Sequence, residues 1–541
     1  MQTVTASQID TTPPQSADRD GRAVLADPAQ VRVPFPRAAI RWVRRHPDLT
    51  CIILLLLVGG ALRLAFAFRA PPLYVGGDSQ TYLLPAYELA RGLGFSPILK
   101  RPPLYPLFVA FSIVLMGEDP HGLAFLQHLV GLGTVVLTYW LARVAFSLPS
   151  WTIAGRLAGL AAGLLTAING TLIVYEHYVM AETLFTFLLA AAALALVVGA
   201  RRGSCRLYAL GGVLLALASL DRAAAQLLLP MVPVAALIHH RRLRPAVRYT
   251  GAMLAGFAIL ALPWMLVTWV QAGSLGASGL GEALFWRGTR ETPMLINRAV
   301  GRPSDVADST RTQARRVAYN RVFENELPSD IAVLLQQRFG YTEAEADAIL
   351  RDVAIELFAR EPDQYVQTSL GLFGELLVGT EQFLGGQGKS GGVTRFSNAQ
   401  DKYDFWNERV RHLALPATTA EANEFRRAQA VANVFQPFRY PLLLLGLLGV
   451  GTLAAVVVRG WRPSLFTILF GLWLLLLTAF LSGALPRYRY PADPLLAVGM
   501  GGGVAALAVG SRRLVTMRRP AAARVAAPSP AKTSPSVTIG R

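Results

Sequence analysis

The stretch TCIILLLLVGGALRLAFAF, Thr50 to Phe68, carries a single charged side chain, Arg63, and is followed by YVGGDSQTYLLPAYELARGLGF, Tyr74 to Phe95. At about 1.5 Å per residue the first segment is long enough to cross a hydrocarbon core of about 30 Å. The second begins with a lone aspartate, Asp78, held between two glycines and an amphipathic segment where the chain leaves the bilayer. Similar apolar runs recur along all 541 residues, which are 53% hydrophobic and only 16% charged. A mean hydropathy of +0.40 excludes an ordinary soluble domain. In lipid every backbone polar group must be satisfied within the segment, so the fold class is an all-α polytopic membrane protein, a helical bundle.

Outward from that first span, the expected crossings are 50–68, 123–146, 157–174, 184–200, 207–220, 224–238, 249–270, 440–458, 464–482 and 490–509, about ten in all. The 14 residues of LYPLFVAFSIVLMG, Leu104 to Gly117, are short for a crossing and read as interfacial or re-entrant. Every turn expected on the inner side is basic: RRGSCR, HHRRLRPAVR, RGWR and SRRLVTMRR. That pattern follows the positive-inside rule and accounts for the net charge of +18 without nucleic acid as a partner. The expected organisation is a basic, disordered cytoplasmic tail over 1–48 and a transmembrane catalytic module over 49–271, with its first outer loop at 69–120. An extracytoplasmic, mainly helical domain covers 272–437, C-terminal spans cover 438–510, and a disordered tail covers 511–541.

The outer domain shows soluble-helix signals. Thr342 and Glu345 form a capping box ahead of Ile349, Leu350, Val353, Ala354, Leu357 and Phe358 at helical spacing. The insertion GGQGKSGG, Gly385 to Gly392, lacks the first glycine of a phosphate-binding loop, since Phe383 stands there, and reads as a flexible loop. Cys51 and Cys205 are the only cysteines, and neither a disulfide nor a cysteine metal site is expected.

Charged residues that no soluble surface explains collect at the outer turns. Asp78, Lys100 and Arg101 occupy the first loop, Glu176, His177 and Glu182 lie in YEHYVMAETLF, Asp221 and Arg222 in SLDRAA, and Arg487 and Arg489 in PRYRYPAD. A carboxylate can take the proton of an attacking hydroxyl, while arginine and lysine hold a phosphate and stabilise charge on it as it leaves. The layout suits a reaction on a lipid-borne phosphate ester at the outer leaflet. Each residue also has a structural reading. Asp78 caps the helix beginning at Ser79, or acts as a base. His177 is an interfacial hydrogen-bonding residue with no second histidine spaced for metal. Glu176 and Glu182 are solvated loop residues or substrate contacts, and Asp221 forms a local ion pair with Arg222 at a span end. Arg487 and Arg489 anchor to headgroups, Arg63 snorkels outward, and Tyr82, Leu83 and Tyr87 form the apolar face of an interfacial helix.

GGDSQTYLLPAYELARGLGF followed by KRPPLYPLFVAF resembles the first outer loop of GT-C glycosyltransferases, in the dolichyl-phosphate-mannose protein mannosyltransferase and aminoarabinose transferase superfamily. MAETLFTFLLAAAALAL, SLDRAAAQLLLPMVPVAAL, LPWMLVTWVQAGSLGASGLGEALFWRG and RYRYPADPLLAV resemble later stations of that family in the same order. The resemblance implies an inverting enzyme that moves a sugar from a polyprenyl-phosphate donor to an acceptor hydroxyl on a lipid, glycan or protein at the extracytoplasmic face. It implies Asp78 as general base, with Lys100, Arg101 and Arg487 at the donor phosphate. Tyr82, Glu176, His177, Glu182, Asp221, Arg222 and Arg489 remain substrate-binding candidates. No metal ligand is assigned, and a divalent cation is left open as the only cofactor. Two departures stand out: Ser79 follows Asp78 where the family commonly has a second acid, and Asp221-Arg222-Ala223 replaces Thr-Arg-Pro. The Ala/Arg-rich composition points to a bacterial inner membrane, with the site facing the periplasm. The competing reading from another class is a transporter or flippase of lipid-linked sugars, for which no clear internal repeat speaks.

Overall fold

A computed structural model describes residues 35–70, 79–95, 101–117, 120–149, 151–272, 279–289, 310–323, 326–378, 427, 430–482 and 486–518. Two units divide the chain, Met1–Thr50 and Cys51–Arg541. The first contains helix α1, Phe35–Arg45, and the start of α2, Pro47–Ala67. The second is a bundle of helices, and no strand forms among its described residues. Asp78, Lys100 and the GGQGKSGG segment lie outside the described residues, as do most of the two terminal tails.

Among the described residues seven segments are long and apolar enough to cross a membrane: Pro47–Ala67, His121–Ala145, Glu182–Arg202, Ala223–His240, Leu243–Gln271, Arg459–Leu481 and Tyr490–Gly510. The chain is thus a multi-pass membrane protein, and these seven segments account for seven of the ten expected crossings. The other three expected crossings coincide with shorter helices, α6 (Thr152–Ala167), α9 (Cys205–Asp221) and α17 (Pro441–Val457). The expected run 157–174 is interrupted. Helix α6 ends at Ala167, and α7, Gly170–Tyr175, restarts with Asn169 at its N-cap, its side chain accepting from the Thr171 amide at 3.1 Å.

Helices α3 (Gln80–Ala90), α4 (Leu104–Met116), α5 (Pro120–Ala145) and α8 (Glu182–Arg202) complete the first half with α10 (Met231–His240) and α11 (Leu243–Ala272). One continuous apolar core runs through α5, α6, α8, α9, α10, α11, α17, α18 (Leu465–Leu481) and α20 (Asp493–Arg518). Between α18 and α20 lies the short α19, Pro486–Arg489. Turns expected on the inner side meet one another. Arg201 donates to the carbonyls of Ala145 and Gly460 at 2.8 and 2.9 Å, and Tyr249 donates to the Gly203 carbonyl at 3.1 Å.

Beyond α11, α12 (Leu280–Thr289), α13 (Thr310–Phe323), α14 (Pro328–Phe339) and α15 (Glu343–Arg360) build a second apolar core around Ile331, Leu335, Ile349, Leu350 and Val353. The Thr342–Glu345 capping box is formed. It holds the Glu345 carboxylate below its ordinary range through the Thr342 amide and hydroxyl. Asp347 caps α12 by accepting from the Gly281 and Glu282 amides, both at 3.0 Å. Fully buried Arg287 ties this group to the bundle, donating to the Ala479 carbonyl of α18 at 3.0 Å and to Ser369 of α16 (Pro362–Val378) at 2.8 Å.

Helices α9 and α11 approach at two glycines. A Cβ on Gly212 would strike the Met253 carbonyl, and one on Gly256 the Ala209 carbonyl. Small residues of this kind let backbones close up where lipid offers no hydrophobic drive. Gly212→Val is therefore expected to lose about 1–3 kcal/mol or more, read as a lowered thermal unfolding midpoint in detergent. Gly251→Val on α11 meets open space and is expected to leave the midpoint in place. Equal behaviour of the two variants would refute the close contact.

Candidate active site

The segment from Ser79 to Tyr105 supplies an aromatic and cationic corner. Helix α3 starts at Gln80, with buried Ser79 at its N-cap position and no side-chain cap there. Tyr82, Leu83 and Ala86 fall on one helical face and bury against Tyr105, Val109 and Ala110 of α4 and Leu123 and Ala124 of α5. The Tyr82 and Tyr105 rings meet edge to face at 5.0 Å. Arg101 donates through Nε to Thr81 Oγ1 at 3.1 Å, and its guanidinium lies 5.3 Å from the Tyr82 ring centroid. Two sequence candidates, Tyr82 and Arg101, are thereby brought together. The face that reads as interfacial in the sequence packs instead on α4 and α5.

Two further turns, at the start of α8 and the end of α9, meet beside this corner. Glu182, the first residue of α8, is buried and ion-paired with Arg222, and is therefore not a solvated loop residue. The Arg222 guanidinium lies 5.9 Å from the Phe185 ring and 6.0 Å from that of Tyr488, between Arg487 and Arg489 in the chain. Val179, Ala181 and Leu184, around the start of α8, join the cluster of Tyr82 and Tyr105. Asp221 does not form the expected local ion pair with its neighbour. It ends α9, Arg222 is extended at φ −145°, and the Arg222 guanidinium meets Glu182 instead. Among the described residues neither carboxylate oxygen of fully buried Asp221 accepts a hydrogen bond.

Beside this corner stands a buried charge network. Arg63 clamps Glu176 with two hydrogen bonds, Nε to Oε2 at 2.7 Å and Nη2 to Oε1 at 2.5 Å, and donates to the Gly59 carbonyl at 3.2 Å. Arg63 is 3% exposed and does not snorkel. It belongs to the buried stripe Leu55, Gly59, Arg63 and Phe66 of α2, which turns away from lipid. Glu176, expected as a solvated residue or a substrate contact, is 2% exposed and committed to protein partners. His128 Nδ1 lies 2.5 Å from Glu176 Oε2, and His128 Nε2 lies 2.8 Å from His177 Nε2. His177 is thus buried rather than interfacial, and the histidine that no sequence spacing supplied comes from α5. Gln127 links the network to the first corner, accepting from the Tyr105 hydroxyl at 2.8 Å and donating to the carbonyls of Glu176 and Tyr178. Burial pushes the Tyr178 hydroxyl well above its ordinary range, so it stays neutral.

The last outer turn is internal as well. Arg489, 1% exposed, donates to Asp493 Oδ1 at 2.9 Å, and Asp493 Oδ2 accepts from Asn169 at 2.9 Å. Arg489 therefore does not anchor to headgroups. Arg487 lies in α19, and its side chain falls outside the description. Sequence reading missed Arg63 as a partner, together with Gln127, His128, Asn169 and Asp493. The polar pair Gln127-His128 inside an apolar run was the available signal, because polar groups within a span demand partners.

Residues 100–266 match the family model described as Dolichyl-phosphate-mannose-protein mannosyltransferase. The match takes in Arg101, Glu176, His177, Glu182, Asp221 and Arg222, and over this part of the chain the resemblance to GT-C glycosyltransferases holds. No curated protein matches. Among solved structures, the oligosaccharyltransferase AglB of Archaeoglobus fulgidus, in complex with an inhibitory peptide and a dolichol-phosphate, is similar at 14% identity and a TM-score of 0.46. That likeness covers 91% of this chain and 53% of AglB, so the chain spans about half the length of that protein. ArnT of Cupriavidus metallidurans, bound to undecaprenyl phosphate, is similar at 12% identity and a TM-score of 0.34, over 85% of this chain and 78% of ArnT. At these scores neither likeness bears on the reaction.

Breaking a buried ion pair from one side strands the other charge, at a cost of about 3–5 kcal/mol. Arg63→Met should show a loss of that size in denaturant unfolding. Arg63→Met/Glu176→Gln should recover part of it, whereas simple additivity would contradict the pairing. Asp221→Asn removes a buried carboxylate that accepts no hydrogen bond, so its unfolding midpoint is expected at or above that of the wild type.

Proposed function

We propose that the protein is a GT-C-type glycosyltransferase that moves a hexosyl or pentosyl group from a polyprenyl-phosphate donor to an acceptor hydroxyl. The observation that carries this reading is the meeting of three outer turns. Tyr82, Arg101 and Tyr105 of the first loop stand with Ala181 and Glu182 at the start of α8 and, through the Glu182–Arg222 ion pair, with the Asp221-Arg222 turn, and all of these but Tyr82 lie inside the segment that matches the mannosyltransferase family. A site of this kind sets cations and carboxylates against an apolar bundle, which suits a phosphate headgroup carried on an isoprenoid chain.

In the proposed reaction Asp78 takes the proton of the acceptor hydroxyl as its oxygen forms a bond to the anomeric carbon. The bond from that carbon to the donor phosphate breaks with inversion, and the polyprenyl phosphate leaves with the electron pair. Lys100, Arg101 and Arg487 hold the phosphate and offset its growing charge. Arg101 is supported by its place on Tyr82 and Thr81. Glu182 positions Arg222 through their ion pair, and the acceptor is a lipid, glycan or protein hydroxyl. The helices around Ile331 and Ile349 form an extracytoplasmic domain that shapes acceptor choice, in a bacterial inner membrane with the site toward the periplasm. Among the described residues no three His, Cys, Asp or Glu side chains are arranged to hold a metal ion.

The test is transfer from a panel of polyprenyl-phosphate sugars by the purified protein in lipid, with and without divalent cations. Asp78→Asn is expected to lower turnover about 10²–10⁴-fold while keeping the wild-type unfolding midpoint. Arg101→Gln is expected to raise the donor concentration needed for half-maximal rate. Wild-type turnover in Asp78→Asn would remove the base from the mechanism, and donor movement across vesicles without transfer would favour a flippase.

A further inference from the structure

Helix α1 belongs to no part of the site, and its exposed surface has two unlike faces. Ile40, Trp42 and Val43 are 54%, 41% and 42% exposed, large apolar side chains left open in the structure. At about 100° per residue these three occupy one arc of the helix, and Arg41, Arg44 and Arg45 occupy the arc opposite. One residue, His46, separates α1 from α2, which is long and apolar enough to cross a membrane. The His46 amide donates to the Trp42 carbonyl at 2.9 Å and its ring lies 5.5 Å from that of Trp42, so the chain passes from one helix to the next without a slack linker. An 11-residue helix is about 16 Å long, so a segment joined to a span by one residue is within reach of the bilayer surface. An apolar face beside a basic one has its lowest free energy at the boundary between headgroups and acyl chains.

We propose that α1 is an interfacial helix that sinks Ile40, Trp42 and Val43 into that boundary and sets Arg41, Arg44 and Arg45 against anionic lipid phosphates of the same leaflet. The charges choose the occupant: three guanidinium groups on one arc, with no acidic residue anywhere in Phe35–Arg45, require an anionic surface. Tryptophan suits the level of the boundary, with an apolar ring and a polar N–H. The inference is independent of the reaction, because it concerns a different unit of the chain.

The experiment uses the full chain with Cys51→Ser and Cys205→Ser, and single cysteines introduced as Ile40→Cys, Val43→Cys, Arg41→Cys or Arg44→Cys. Each carries an environment-sensitive fluorophore, in nanodiscs of phosphatidylcholine with or without phosphatidylglycerol. Labels at positions 40 and 43 are expected to emit at shorter wavelength and to be quenched by lipids spin-labelled high on the acyl chain. Labels at 41 and 44 should report water. Phosphatidylglycerol should sharpen the contrast, and each Arg→Gln change at the remaining arginines should lower the inserted fraction relative to the detached fraction about five-fold. Four labels reporting one environment would overturn the proposal, as would a contrast indifferent to phosphatidylglycerol. Short-wavelength emission at 40 and 43 without lipid quenching would mean that the face is covered by protein, and would overturn it as well.

Discussion

Everything around the candidate site leans on the pairing of Arg63 with Glu176. A guanidinium and a carboxylate so deeply buried are costly to desolvate, and only close, bidentate geometry with further hydrogen bonds offsets that cost. The pair fixes α2 against the junction of α7 and α8, and His128 fixes the same carboxylate to α5. Gly131, one turn along α5, has no side chain because a Cβ there would collide with the Glu176 carboxylate. From that junction Gln127 carries the register on to Tyr105, and the first loop and Glu182 take their places around it. Apolar helices slide past one another with little penalty, and buried ionic contacts of this kind limit them to one alignment.

The acidic residues of the outer turns show how burial sorts groups that look alike in a sequence. Glu176 and Glu182 each meet an arginine from a distant helix, Arg63 and Arg222, and Asp493 meets Arg489 one turn away. Asp221 accepts no hydrogen bond among the described residues. Three carboxylates hold the scaffold through ion pairs, and the fourth has no comparable structural commitment among the described residues.

The helical bundle was legible in the sequence because hydrocarbon leaves the backbone few alternatives. The Thr342–Glu345 box was legible because capping is decided within four residues. The alternation of apolar runs and basic turns set the segments holding Tyr82, Glu182 and Arg222 on one side in the sequence reading, and in the structure Glu182 and Arg222 pair. What stayed hidden depended on which face of an apolar helix points inward. In TCIILLLLVGGALRLAFAF both faces are greasy, so no periodicity reveals that Leu55, Gly59, Arg63 and Phe66 form the buried stripe. The same uncertainty made Arg489 look like an anchor and separated Asp221 from its true geometry. The break within 157–174 was hidden for a related reason: apolar content continues across Asn169, but the helix does not.

The break at Asn169 also bears on how the chain is assembled. Its amide donates to Asp493, a residue 324 positions later, whereas Arg63 and Glu176 lie 113 apart. At about 5–20 residues per second, tens of seconds of synthesis separate Asn169 from its acceptor. Closure of the α6–α7 junction is therefore tied to the synthesis of α20, and a chain stopped short of Asp493 lacks the acceptor of that amide.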